Sequence, residues 1–295
     1  MVNSRRGFLK TASTLGSGLL LTSFAGNLVS CKTATGANNS NSQPFGLQLY
    51  TLRDDFPKDP KGVLKQVADF GYKQVEGYEG PKGIFWGMSN TEMKSYLDSI
   101  GLTMISTHCD INKDFERKAD EAAAIGMKYL ICPYLGPNKD MDFYKKAAER
   151  FNQCGDICKQ RGMRFAYHNH DYSFKPINGQ LPQDVMMQST NPDTVDYEMD
   201  MYWVVVAGQD PQTWMKKYPN RFKLCHIKDR GTAGGDNQKF ESVVLGKGNI
   251  NYKSILQDLK KEGMQYFIVE QEAYTGTTPL QAAKADADYM KSVEI

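Results

Sequence analysis

From Phe45 onward one arrangement recurs. Apolar residues return every three to four positions, the run stops at a glycine, and a short, largely apolar stretch follows at once. The first kind of spacing is that of an amphipathic helix, and the second that of a buried strand. Phe70-Gly71-Tyr72 precedes Gln74-Val75-Glu76, and Ile100-Gly101-Leu102 precedes Met104-Ile105-Ser106. The same joint appears at Gly126, Gly162 and Gly263. A glycine just past a helix ends it in the left-handed conformation. Five such joints predict alternating helices and parallel strands. Strands are expected near 45–50, 73–77, 102–108, 128–133, 163–168, 194–200, 221–227 and 265–270. Helices are expected over 58–70, 89–100, 113–125, 140–160, 183–189, 210–218, 251–262 and 279–292. Ser89 with Glu92 has the spacing of a capping box.

Eight β–α units in about 250 residues match the size of a (β/α)8 TIM barrel. A doubly wound sheet is the alternative. It would be expected to carry a Gly-rich phosphate turn after its first strand, and Leu49-Tyr50-Thr51-Leu52-Arg53 has none.

In a TIM barrel, chemistry sits where strands end. Here those ends carry Gln48 and Tyr50, Glu76, His108, His168-Asn169-His170-Asp171, Glu198-Met199-Asp200, His226-Ile227-Lys228-Asp229 and Glu270-Gln271-Glu272. All 4 histidines of the chain fall at such ends. His168, Asp200, His226 and Glu270 together supply the donors of a divalent-cation site. Gln48, Tyr50, Glu76, His108 and Asp229 are candidate substrate contacts. Trp86 and Trp203 either stack on a sugar ring or cover the barrel mouth.

The N-terminus changes the picture of where the protein works. Arg5-Arg6-Gly7-Phe8-Leu9-Lys10 is followed by an uncharged stretch from Thr11 to Cys31 that is too short and too rich in Gly, Ser and Thr for a membrane span. It resembles a twin-arginine export signal, and Leu28-Val29-Ser30-Cys31 resembles a lipobox. The expected organisation is therefore an export signal over 1–30, a flexible tether over 31–44 and one TIM-barrel catalytic domain over 45–295. The expected location is the cell envelope or periplasm, lipid-anchored at Cys31. Net charge is +2, and it becomes −1 once the three basic residues of the signal are removed. Such a balance carries no electrostatic footprint for nucleic acid. The other five cysteines form no C-x-x-C, and Cys154 and Cys158 continue the apolar stripe of Phe143, Ala147 and Phe151, so they read as core.

The chain from about Phe45 to Val293 resembles the xylose isomerase-like TIM-barrel superfamily, in its sugar phosphate isomerase/epimerase branch. Tyr167-His168-Asn169-His170, Asp200-Met201-Tyr202-Trp203, His226-Ile227-Lys228-Asp229, Val269-Glu270 and Gly246-Lys247-Gly248-Asn249-Ile250 carry the resemblance. It implies one divalent metal held by residues of strands five to eight. Asp200, His226 and Glu270 match the last three ligands, while His168 stands where the family has a glutamate. Nitrogen donation there favours Mn, Co or Zn over Mg.

The resemblance further implies an isomerase or epimerase that removes a proton α to the carbonyl of a sugar or keto-sugar, through an enediolate. Glu270 would be the base, with Lys228 or His170 protonating or steadying the oxyanion. A lyase or hydratase acting on an oxidised glycoside is the second reading, and a non-catalytic carbohydrate-binding barrel the third. A nuclease is disfavoured, because the sequence offers one compact ligand set and no basic surface. The expected partner is a small carbohydrate. No nucleic acid is expected, and contact with the membrane only through the lipid anchor.

Overall fold

The computed structural model describes residues 43–231, 241–293 and 295. The expected export signal, Cys31 and nearly all of the tether lie outside the described residues. Eight parallel strands close into a barrel: β1 (Phe45–Gln48), β2 (Gln74–Tyr78), β3 (Thr103–His108), β4 (Tyr129–Cys132), β5 (Arg164–His168), β6 (Val195–Asp200), β7 (Phe222–Ile227) and β10 (Tyr266–Val269). Closure is between β1 and β10, with Leu47 beside Val269. A two-stranded antiparallel ribbon, β8 (Asp229–Arg230) with β9 (Ser242–Val243), extends the loop after β7.

The expected helices form the outer ring: α1 (Pro60–Phe70), α2 (Asn90–Ile100), α3 (Phe115–Ala124), α4 (Met141–Lys159), α5 (Pro182–Ser189), α7 (Pro211–Lys217), α8 (Tyr252–Lys261) and α9 (Pro279–Lys291). One short helix, α6 (Met201–Val206), was not anticipated. The expected capping box is present at the start of α2: the Ser89 hydroxyl accepts from the Glu92 N–H, and the Glu92 carboxylate accepts from the Ser89 N–H. Gly71 ends α1 at φ 104° and turns the chain directly into β2.

The core between strands and helices is apolar. Helix α4 buries Tyr144, Ala147, Ala148, Phe151, Cys154 and Cys158 along one face. Phe151 stacks on Tyr167 of β5 with ring centres 5.1 Å apart. Burying such a side chain contributes about 1.5–3 kcal/mol. Gly155 lets α4 lie close on β6, since a Cβ there would sit 2.7 Å from Thr194 Oγ1. Cys109, Cys132, Cys154, Cys158 and Cys225 are all free and buried, as the core reading requires. Burial pushes the Cys132 thiol up to about 12, so it stays a neutral packing group.

Inside the barrel the side chains form layers. Ile105, Tyr129, Ile131, Ala166, Leu224 and Ile268 make a separate apolar cluster. At the amino-terminal end Asp196 accepts from Tyr129 Oη at 3.0 Å and pairs with Arg164. Above this floor the character changes. Two steps along β6, Asp196 gives way to Glu198 and then Asp200 on the same face, because strand side chains alternate. On β3 the register slips between Val75 and Glu76 of its partner, which moves the inward position from Ile105 to Ser106 and then His108.

Candidate metal centre and active site

The carboxyl end of the barrel gathers buried ionisable groups. His168 ends β5. Its Nδ1 lies 3.2 Å from the Pro133 carbonyl, which fixes that nitrogen as the donor and leaves Nε2 with a free lone pair. His168 Nε2 faces Asp200 Oδ2 at 3.3 Å. Asp200 caps α6, its Oδ1 accepting from the Trp203 N–H at 3.1 Å, so only Oδ2 faces the barrel axis. Asn169 holds the Asp200 backbone at both its N–H and its carbonyl. His226 Nδ1 lies 3.1 Å from Glu270 Oε2 and 3.8 Å from Asp200 Oδ2.

One donor atom from each of His168, Asp200, His226 and Glu270 falls within 4.8 Å of all the others. Two imidazole nitrogens and two carboxylate oxygens at this spacing fit a borderline divalent cation. Lys228 Nζ sits beside both carboxylates, 2.7 Å from Glu270 Oε2 and 3.0 Å from Asp200 Oδ2, with Glu272 Oε1 at 3.2 Å.

The electrostatics follow from these neighbours. Burial opposes charge on Glu270, but Lys228 and His226 outweigh it and hold the carboxyl well below its ordinary range. Asp200 is lowered in the same way, against burial, by Lys228 and His168. Burial pushes His170 well below the usual imidazole value, with His168 adding to the effect, so its ring is neutral at pH 7. Burial works against charge on His108 too, yet Glu76 and Glu198 raise it to about 9.

A cavity of about 620 Å³ opens onto this end of the barrel, within the ordinary range for a small-molecule site. Tyr50, His108, His168, His170 and Glu270 line it. Tyr50 and Tyr134 stand at the mouth, 41% and 55% exposed, the most exposed large hydrophobics of the described residues.

Several residues expected to touch substrate do other work. Asp229 accepts four backbone N–H groups, from Arg230, Gly246, Gly248 and Ile250. It anchors the 246–250 loop and does not line the cavity. Trp86 donates Nε1 to the Tyr78 carbonyl at 2.8 Å and packs edge-on against Tyr78, behind the cavity wall. Gln48 and Glu76 are fully buried and bonded to each other at 2.7 Å, beneath the cavity. Lys228 is also fully buried, held by the carboxylates and the rings of Tyr202 and Trp203, and does not line the cavity. Trp203 borders a neighbouring cavity of about 540 Å³ with Asp171 and Tyr202, and Glu272 borders both cavities.

Tyr134, Glu272 and Asn169 had no assigned role in the sequence. Asn169 and Glu272 were visible at strand ends, whereas nothing in the sequence marked Tyr134. A second donor group, Glu76, His108, Glu198 and His226, shares His226 with the first, where the sequence suggested a single set.

The closed eight-stranded β/α barrel carries at its carboxyl end a buried His/Asp/Glu set spaced to hold a metal ion. Residues 64–293 match the family model described as "Xylose isomerase-like TIM barrel". The chain belongs to that family. An inosose dehydratase from Lacticaseibacillus casei is 27% identical over 245 residues, covering 74% of this chain and 75% of the relative. A crystal structure of a sugar phosphate isomerase/epimerase from Parabacteroides distasonis superimposes with a TM-score of 0.73 at 27% identity, over 87% of this chain and 96% of that one. The IOLI protein with a bound zinc atom shares the fold, at 15% identity and a TM-score of 0.68, over 84% and 96% of the two chains.

Proposed function

We propose that the protein removes the proton α to the ketone of a sugar or cyclic polyol and carries the resulting enediolate on to β-elimination, as a metal-dependent lyase or, in reverse, a hydratase. One observation carries this reading. Of the four buried carboxylates gathered in the two donor groups, only Glu270 lines the cavity, while Glu76, Glu198 and Asp200 lie beneath it. Epimerisation by two metal-bound carboxylates on opposite faces of the substrate would require a second one, and strand five supplies His168 instead; Glu272 also borders the cavity but stands outside the donor groups, paired with Lys228. A single carboxylate suffices for elimination on one face. Glu270 takes the α-proton as that C–H bond breaks, then delivers it to the β-hydroxyl as the C–O bond breaks, and water leaves. The inosose dehydratase relative is in keeping with this chemistry.

When bound by His168, Asp200, His226 and Glu270, a divalent cation supplies Lewis-acid polarisation of the carbonyl and offsets the developing oxyanion charge. The donor set favours Mn, Co or Zn over Mg. Lys228 holds Glu270 Oε2 and keeps the carboxylate in its basic form. His170, neutral and stacked on Tyr172 with ring centres 5.5 Å apart, offers a hydrogen bond to a substrate hydroxyl. Tyr50 and Tyr134 give the mouth apolar faces that suit a sugar ring.

Isomerisation or epimerisation remains the second reading. It is favoured by His168 lining the same cavity as Glu270, as a partner able to exchange protons. Proton NMR in D₂O of metal-loaded protein with inososes, ketoses and 3-keto-glycosides separates the two. Loss of water with a new enone signal supports the lyase. Deuterium incorporation with an interconverted sugar and no enone supports the isomerase.

We also propose twin-arginine export and lipid anchoring at Cys31, on the strength of Arg5-Arg6 and Leu28-Val29-Ser30-Cys31. Replacing both arginines by lysine should hold the protein in the cytoplasm, and unchanged fractionation of that variant would remove the twin-arginine route.

A further inference from the structure

Beneath the proposed catalytic centre, four donor atoms from four strands converge. His108 Nε2 lies 3.1 Å from Glu76 Oε1 and 2.8 Å from Glu198 Oε2. His226 Nε2 lies 2.8 Å from Glu76 Oε1 and 3.5 Å from Glu198 Oε2. Each imidazole nitrogen thus faces two carboxylate oxygens, although one ring N–H makes one linear hydrogen bond. The four N–O separations, 2.8–3.5 Å, bracket the edges of a tetrahedron of donors about a cation, which are roughly 3.3 Å for bonds near 2.0–2.1 Å.

Three further observations point to an ion there. Glu198 Oε1 is buried without any hydrogen-bond partner, on a side chain with no solvent exposure. No lysine or arginine among the described residues pairs with Glu76 or Glu198; Lys228 serves Asp200, Glu270 and Glu272. Glu76 is braced in the manner of a metal-ligating carboxylate. Gln48 Nε2 donates to its Oε1 at 2.7 Å, and Ser106 Oγ to its Oε2 at 2.5 Å.

We propose that Glu76, His108, Glu198 and His226 bind a second divalent cation, placed beneath the catalytic one. With the upper site empty, two carboxylates and two neutral imidazoles neutralise the dication, which balances the charge of a dry site. A donor set of two nitrogens and two oxygens takes Zn²⁺ or Co²⁺ before Mg²⁺. Four protein ligands with no open position make the ion structural. With both ions in place His226 bridges them through Nδ1 and Nε2 as an imidazolate, its last ring proton having passed to solvent on metal entry. The lower ion then fixes the ring that presents Nδ1 to the upper one. The proposal shares His226 with the functional reading but does not depend on which reaction occurs.

The test counts ions. The full chain is saturated with Zn²⁺, desalted and analysed for zinc per chain, and crystals of it are measured at the zinc absorption edge. Two zinc ions are expected in the wild type, and one in each of Glu198→Gln, His108→Gln and Asp200→Asn. Anomalous density is expected both among Glu76, His108, Glu198 and His226 and among His168, Asp200, His226 and Glu270. In Asp200→Asn the remaining density should be the lower one. A single zinc at saturation, or density at the upper group alone, overturns the proposal. So does a second zinc that persists in both Glu198→Gln and His108→Gln. If those variants fail to fold, the wild-type diffraction decides by itself. Loss of the upper density alone would defeat the catalytic reading and leave this one standing.

Discussion

At the two ends of the barrel's interior the same strands fill the same tube with opposite chemistry. The amino-terminal end packs Ile105, Ile131, Leu224 and Ile268 around a single ionic group, in which Asp196 meets Arg164 and Tyr129. The Arg164 side chain is about one-third exposed, so that pair keeps contact with water. Two to four residues of strand further on, roughly 7–13 Å, the interior holds Glu76, Glu198, Asp200 and Glu270, all buried, with Lys228 as the one lysine or arginine paired to them among the described residues. The floor is balanced within itself. The upper half carries a surplus of negative charge that protonated histidines or metal ions must offset. In one barrel the first arrangement gives stability and the second creates a demand for cations, and the cavity proposed as the active site opens onto the second.

The comparison breaks most visibly at His226, the residue common to both donor groups. His226→Ala should lose activity below detection and nearly all bound metal, read by elemental analysis, since the remaining ligands no longer close either site. Next is the floor. Leu224→Ala should cost about 2–5 kcal/mol in urea unfolding while leaving the metal count unchanged. A parallel loss of metal would show that the halves are not separable. Removing Tyr134 tests the cavity mouth: Tyr134→Ala should raise KM several-fold with kcat little altered, because an exposed ring stacks on substrate without entering the reaction.

The smallest effect lies outside the barrel. Asp286 is 1% exposed, and burial first, then the charge of Asp229, pushes its carboxyl up to about 7 against the pull of the Leu245 N–H. The folded protein therefore holds that proton more tightly than the unfolded chain does. Its contribution to stability falls as pH rises from about 4 through 7. Asp286→Asn should raise the melting temperature by a few degrees at pH 8 and by much less at pH 5, by calorimetry.

The five helix–glycine–strand joints made β2, β3, β4, β5 and β10 legible, because they are local events with local causes, and apolar runs alone marked β1, β6 and β7. The convergence of His168, Asp200, His226 and Glu270 from the ends of β5, β6, β7 and β10 was legible because the donor residues follow strands directly. Depth was not. Alternation tells which side chains point inward, but not whether a residue two positions earlier lies at the mouth or beneath it, so Gln48 and Glu76 read as substrate contacts. The register slip that brings Ser106 and His108 inward depends on a neighbouring strand and leaves no mark in the sequence. Asp229 and Trp86 were misplaced for a related reason: their partners are backbone groups of loops whose path emerges only from the folded chain.

The central claim is that Glu270 is both a metal ligand and the base. Glu270→Gln separates the two roles, since the amide keeps a carbonyl oxygen for the cation but accepts no α-proton. The measurement is metal content together with the rate of α-hydrogen exchange in D₂O on the best substrate of the wild type. A variant that keeps its metal and loses exchange by roughly 10²–10⁴ is expected. Exchange at the wild-type rate with metal still bound would contradict the account and move the base to another residue of the cavity.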